Sequence, residues 1–430
     1  MLASRLSNWP GFVNEFVRRL DLTSIFSHNA FGAVGGILSS RRKRVIEAVD
    51  RNSNQADLNA IREAVLGWHA HSGRNLPWRD DRHDPYRVLV SEMMLVQTTV
   101  SAVIPYYHKF LARFPTVESL AGAPEPDVLK HWEGLGYYRR ARQLHQMARE
   151  VTDRFGGTIP ADEADLLSLP GVGRYIAGAV RSFAFDQPAP ILEANTIRLL
   201  ARLTGTKEEV TSGSAQKRLW ATAESLVSPD DPGTFNQALM DLGAEVCTPR
   251  NPDCSHCPIA DFCVANREGL TESIPVRLAR KPPTPGEEAA VVLTRASDRS
   301  ILLLERPETG LWSSFWELPT FWISGADPAR RASLGASIAT PEKIPQAVGH
   351  LFGLDSVDVE PAPRVTVNYV VTRYKMFLQV MFGSVRETGR RHDTPNCPDG
   401  WKSARFVSHD DMKKLTMPSA HRKVLRKVDF

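Results

Sequence analysis

Four cysteines, Cys247, Cys254, Cys257 and Cys263, are separated by six, two and five residues. Thiolates packed this closely can wrap one tetrahedral centre or one cubane cluster, and composition alone favours structural zinc. Glu92 sits in VLVSEMMLVQTTV (88–100), among Val88, Leu89, Val90, Met93, Met94, Leu95 and Val96. A carboxyl in such company is desolvated, its pKa rises, and it can donate a proton near neutral pH. On a solvated helix face the same residue would do no chemistry. LPGVGRY (169–175) lies between helical stretches. Its glycines permit a tight turn, and the N–H groups of the helix that follows are free to hold a phosphate oxygen.

The elements that must position these groups follow from the rest of the 430 residues. Apolar residues make up 42% and charged residues 24%, ordinary for a globular protein, and the net charge of +4 permits nucleic-acid binding without arguing for it. Five cysteines are too few for a disulfide framework; the four between Cys247 and Cys263 suggest a metal site in a reducing compartment, and Cys397 stands alone as an ordinary residue. No apolar stretch is long enough to span a bilayer, so no membrane partner is expected.

Residues 1–55, with a Gly/Ser-rich stretch before Arg41-Arg42-Lys43-Arg44, read as a disordered N-terminal extension. Helical periodicity dominates 56–274. The proline-rich segment 275–288 reads as a linker, because Pro282, Pro283 and Pro285 should stop helix and sheet alike. From 289 to 430 the texture becomes α+β, with AAVVLTR (289–295), ILLLER (301–306) and VTVNYVVTRYKMFLQVMF (365–382) as β-rich runs and SDRS (297–300) as a turn.

The cysteine spacing resembles the [4Fe–4S] loop of endonuclease III and MutY-type glycosylases, which reverses the preference for zinc and implies one cluster per chain. LPGVG resembles the helix-hairpin-helix motif of that superfamily, with Gly171 and Gly173 at the DNA phosphate. LPWRDDRHDPYRVLVSEMMLVQTTVSAVIPYYHKFLARFPTVESLA (76–121) resembles the MutY-type catalytic region. The resemblance implies an all-α helix-hairpin-helix glycosylase domain with an iron–sulfur loop at 247–263, then an α+β Nudix-like lesion-recognition domain. It makes Glu92 the general acid that protonates adenine. Glu193 takes the place of a family aspartate that steadies the sugar cation, beside Asn195. The departure from Asp-Gly-Asn to Glu193-Ala194-Asn195 adds one methylene where an ångström matters. Tyr175 replaces the lysine of bifunctional relatives and cannot form a Schiff base. Trp78, Arg79, Gln97, Thr98 and Gln237 match pocket positions, although Val96 stands where relatives carry a hydrogen-bonding glutamine. Tyr137 matches a wedge beside the opposing base, with Arg139, Arg140 and Arg142 near phosphates.

ILLLERPETGLWSSFWELP (301–319) resembles the Nudix-like domain that reads 8-oxoguanine. No acidic Nudix signature appears between 320 and 355, so pyrophosphatase activity is not expected. Val371, Thr372 and Arg373 align with the family's Phe-Ser-His inspection loop, and only the hydroxyl of Thr372 survives. The expected partner is double-stranded DNA holding a mismatch or 8-oxoguanine, bound by a monomer. Glu193, Val96 and the altered loop leave two alternatives open: excision of another mispaired base, such as thymine opposite guanine, or mismatch binding without chemistry.

Overall fold

The computed structural model describes residues 55–80, 83–278, 281–325, 341–354, 356–386 and 394–427. The expected N-terminal extension, and 326–340 of the segment searched for a Nudix signature, lie outside them. The chain divides into a unit Met1–Ala60 and a unit Ile61–Phe430, and everything described below from Ile61 onward lies in the second.

After a helix over 55–72 (α1) come α2 (Pro85–Leu95), α3 (Val100–Arg113), α4 (Val117–Ala121), α5 (Glu125–His131) and α6 (Arg139–Phe155). The helices α7 (Glu163–Ser168), α8 (Arg174–Phe185), α9 (Ala194–Thr204), α10 (Gly213–Leu226), α11 (Pro232–Glu245) and the short α12 (Val264–Arg267) complete the all-α half. Helix α2 starts firmly: Asp84 accepts hydrogen bonds from the N–H groups of Tyr86 and Arg87, and Pro85 presets the first turn. Its residues from Val88 to Met94 are buried on every side, so α2 is the axle of the helical core and Glu92 is carried inside with it. None of the described helices is long and apolar enough to cross a membrane.

The second half is one mixed sheet. Its strands are β1 (Thr284–Arg295), β2 (Ile301–Glu305), β3 (Trp316–Glu317), β4 (Thr320–Gly325), β5 (Val357–Val359), β6 (Val365–Val371), β7 (Tyr374–Val385) and β8 (Ser403–Val407). Helix α13 (Ile344–Phe352) precedes β5, and α14 (His409–Lys414) and α15 (Ser419–Arg426) close the chain. Strands β1 and β7 run parallel from Thr284↔Tyr374 to Arg295↔Val385. Ala289, Val291 and Leu293 face a core under α13, while Ala290 and Val292 face another under α14 and α15. Burial on both faces explains why AAVVL is continuously apolar instead of alternating. The SDRS turn joins β1 to β2, with Asp298 accepting from the Ser300 N–H.

The linker expectation needs correction. Strand β1 begins at Thr284, so Pro285 lies inside the sheet, paired in register with Lys375. A proline near the start of a strand forfeits one ladder donor and no more, which the long pairing to β7 outweighs.

Candidate active site

A cavity of about 590 Å³ opens among α2, α3, α8, α9 and α11. It is lined by Trp78, Arg79, Glu92, Gln97, Thr98, Tyr175, Glu193, Asn195 and Gln237, residues spread over 160 positions of sequence. Leu76, Val88, Leu95, Phe183, Leu192 and Met240 supply apolar wall. The size suits a small planar ligand.

Helix α2 delivers Glu92, which is 3% exposed. Burial, above all, pushes its carboxyl up to about 7, and the nearby Glu193 adds to the rise, while the Tyr175 hydrogen bond and Arg79 pull the other way. Tyr175, on the first turn of α8, donates its phenol hydrogen to Glu92 Oε2. Burial and the two carboxylates hold that phenol well above its ordinary value, so it stays protonated.

Glu193 is the N-cap of α9. Its Oε1 accepts from the backbone N–H groups of Asn195 and Thr196, each at 2.9 Å, and Oε2 accepts from Asn195 at 2.9 Å. The Thr196 hydroxyl returns the contact to the Glu193 N–H, a reciprocal capping arrangement. Burial raises the Glu193 pKa, opposed by those N–H groups and by Arg198 and Arg74. The added methylene is thus taken up by folding the carboxylate back onto the helix N-terminus, where the dipole favours negative charge. Asn195 Oδ1 accepts from Arg198 at 2.9 Å, which fixes its amide.

Trp78 packs edge-on to Tyr107, with centroids 5.6 Å apart. Gln97 takes a left-handed backbone (φ 60°) and is exposed. The Thr98 hydroxyl accepts from Arg140 at 3.0 Å. Gln237, on α11, is buried at the cavity wall with no side-chain hydrogen bond to another described residue.

The remaining expected residues lie outside the cavity. Tyr137 is 58% exposed with φ 48°, so it is no core aromatic; its neighbour Tyr138 is the one that packs inward, edge-on to Phe315. Two of the arginines expected at phosphates are corrected. Arg140 is buried and donates to the carbonyls of Met93, Met94, Val96 and Gly136, tying α6 to the end of α2. Arg142 pairs with Glu125 and donates to the Ser313 carbonyl at 2.6 Å. Arg139 alone of the three is exposed. Carbonyls left by a helix end must be satisfied, and the Arg140 guanidinium does it for α2.

Gly171 has φ +79°, and a Cβ there would meet Met93 Cε at 2.7 Å and Gln143 Cβ at 2.8 Å. Gly173 is the N-cap of α8, with no side-chain cap and open space where a Cβ would point. In the second half, Val371 is buried, while Thr372 (φ 52°) and Arg373 form the exposed tip of the β6–β7 hairpin.

Sequence reasoning missed Arg74 and Asp241. Arg74 lines the cavity, and buried Asp241 grips both Arg74 and Arg79. The signal was a carboxylate one helical turn after Gln237 in the apolar run FNQALMDLGA.

Cys247, Cys254, Cys257 and Cys263 surround a separate apolar cavity with Leu199, Leu203 and Ile259, and none forms a disulfide. Among the described residues no set of three His, Cys, Asp or Glu converges on a single ion. Thiols ringing a space fit a polynuclear cluster better than one zinc ion. Fully buried Arg202 braces the loop, donating to Cys247 Sγ at 3.3 Å and to the carbonyls of Thr248 and Ile274.

Comparison with known proteins agrees with this layout. A model of the HhH-GPD superfamily of base excision DNA repair proteins matches residues 90–225, one of the NUDIX domain matches 289–427, and one of the iron–sulfur binding domain of endonuclease III matches 247–263. The four cysteines therefore hold a [4Fe–4S] cluster, and the second half is Nudix-like. Adenine DNA glycosylase of Rattus norvegicus is 36% identical over 318 residues, 62% of this chain and 61% of that protein. The Mus musculus enzyme of the same name is 33% identical over 356 residues, 70% of this chain and 69% of that protein. The chain spans less than two thirds of the rat relative's length. A solved thermostable thymine-DNA glycosylase is 32% identical and covers 50% of this chain and 99% of its own, with a TM-score of 0.46. The chain belongs to the MutY-type adenine DNA glycosylase family of the helix-hairpin-helix superfamily.

Proposed function

We propose that this protein is a monofunctional base-excision repair glycosylase that hydrolyses the N-glycosidic bond of adenine mispaired with 8-oxoguanine or guanine in double-stranded DNA, acting as a monomer. The observation that carries this reading is the pairing of Glu92, shielded and half-protonated near neutral pH, with the anchored carboxylate of Glu193 in one cavity. Duplex bases are unreachable in the stack, so adenine must be flipped into that cavity. Glu92 passes its proton to nitrogen 7, the bond to C1′ breaks, and adenine leaves neutral. Glu193 steadies the cationic sugar, and Tyr175 holds Glu92 in place. Water then adds to C1′ and returns its proton to Glu92.

Monofunctional chemistry is supported by the absence of lysine among the residues lining the cavity. The uncapped head of α8 at Gly173 offers N–H groups to a phosphate, and exposed Tyr137 suits the wedge. The Thr372 tip supports reading of the opposing 8-oxoguanine through its hydroxyl.

The test is a single-turnover panel of duplexes with A opposite 8-oxoguanine, A opposite G, T opposite G, and A opposite T. Adenine release from the first two, with strands intact until alkali treatment, is expected. Release of thymine instead, or strand cleavage without alkali, would contradict the proposal.

A further inference from the structure

We propose that Asp241, which does not line the cavity, is a positioning residue for base release: it fixes Arg74 and Arg79 on the cavity wall and offsets part of their charge. This deepens the glycosylase reading and rests on it.

Asp241 is 0% exposed on α11, one turn beyond Gln237. Its Oδ1 accepts from Arg74 Nε at 2.7 Å and Arg79 Nη2 at 2.8 Å. Its Oδ2 accepts from Arg79 Nη1 at 2.7 Å and from the Arg74 N–H at 3.0 Å. Arg79 also donates to the Arg74 carbonyl, which closes the loop onto itself. His69 of α1 approaches at 3.4 Å, and Glu245 stands 3.9 Å from Arg74. A planar guanidinium gripped through two nitrogens has one orientation.

The charges facing Glu92 are Glu193 at the head of α9 and Arg79 from the segment before α2, with the neutral Tyr175 phenol from α8. Arg79 favours ionised Glu92, and Arg74 favours ionised Glu193. The first effect works against an acid that must keep its proton, and the second favours the anion the sugar needs. A carboxylate behind the arginines tempers the first while holding both cations in reach of the second. Burial opposes the charge on Asp241, but the close approach of His69 and the hydrogen bonds from Arg79 and Arg74 outweigh it and hold the carboxyl far below its ordinary range. Its charge is therefore constant across any pH at which Glu92 titrates.

Asp241→Asn keeps the shape and removes the charge. Two measurements follow the Glu92 carboxyl: its 13C shift against pH in the free protein, assigned with Glu92→Gln, and the pH profile of single-turnover adenine release. Loss of Asp241 should move the Glu92 midpoint down by about one pH unit, so release falls about tenfold at pH 7.5 and changes little at pH 5.5. Arg79→Gln should move the midpoint up. An unmoved midpoint in both variants, or an Asp241→Asn loss equal at every pH, would mean a merely structural ion pair. If Asp241→Asn does not fold, Arg79→Gln decides alone: an upward shift supports the proposal and no shift overturns it. The 13C titration needs no substrate, so failure of the proposal is separable from failure of the adenine assignment.

Discussion

Glu92 is bought at the expense of stability. Its ordinary value is 4.5 and its folded value about 7. Between those pH values the folded state retains a proton that the unfolded chain sheds, so ionisation favours unfolding more and more as pH rises. Above 7 the accumulated cost is roughly 3 kcal/mol. Glu92→Gln should therefore raise the thermal midpoint at pH 8 and leave it nearly unchanged at pH 4, by calorimetry at both pH values. An equal gain at both would mean the carboxyl is not desolvated. Burial raises the Glu193 carboxyl too, but the N–H groups of Asn195 and Thr196 and the nearby Arg198 and Arg74 oppose that rise at the helix end. Aspartate also caps helices well, so Glu193→Asp should change single-turnover release by less than about tenfold. Glu193→Gln should lower it by more than about a hundredfold, since the sugar cation loses its anion. Equal rates for the two variants would show that the charge is idle. The apolar text around Glu92 made its burial legible in the sequence. The fold-back of Glu193 was not, because whether a longer carboxylate overshoots depends on cap geometry that residue identity does not state.

At the scale of elements, the turn before α8 separates two roles that LPGVG presents as one. Gly171→Ala puts a Cβ against Met93 and Gln143 in a left-handed conformation, and should cost about 1–3 kcal/mol of stability by denaturant unfolding. Gly173→Ala meets nothing in the protein and should leave stability within about 0.5 kcal/mol. If the head of α8 holds a phosphate, that same variant should weaken binding to a lesion duplex, measured by fluorescence anisotropy. Undiminished affinity would remove the hairpin from the DNA contact. The helices and the paired strands were readable because their periodicities differ. The start of β1 was not: proline chemistry is local, whereas the pairing of Thr284 to Arg295 with β7 is set ninety residues away. The same holds for Arg140, whose four carbonyl partners come from the end of α2 and the loop before α6.

In the whole molecule the two halves share a core. Phe315, from the segment between β2 and β3, is fully buried in the helical cluster and packs edge-on to Tyr138 at 4.5 Å. Glu133, just past the C-cap of α5, accepts from Arg422 of α15 at 2.8 Å and from Lys130 at 2.6 Å. Lys130 reaches on to the Leu415 carbonyl. Phe315→Ala should cost about 3–5 kcal/mol and split a single calorimetric transition into two, as each half loses its shared anchor. One unsplit transition would show that other contacts suffice. Contacts of this kind, and the grip of Asp241 on arginines more than 160 residues away, are invisible to spacing because they depend on packing between distant elements. Proton donation by Glu92 is tested most directly by single-turnover adenine release from an A opposite 8-oxoguanine duplex against pH, for the natural chain and Glu92→Gln. The natural rate should fall tenfold per unit above about pH 7, and the variant should be flat and at least a thousandfold slower at pH 6. A variant that matches the natural chain would contradict the mechanism.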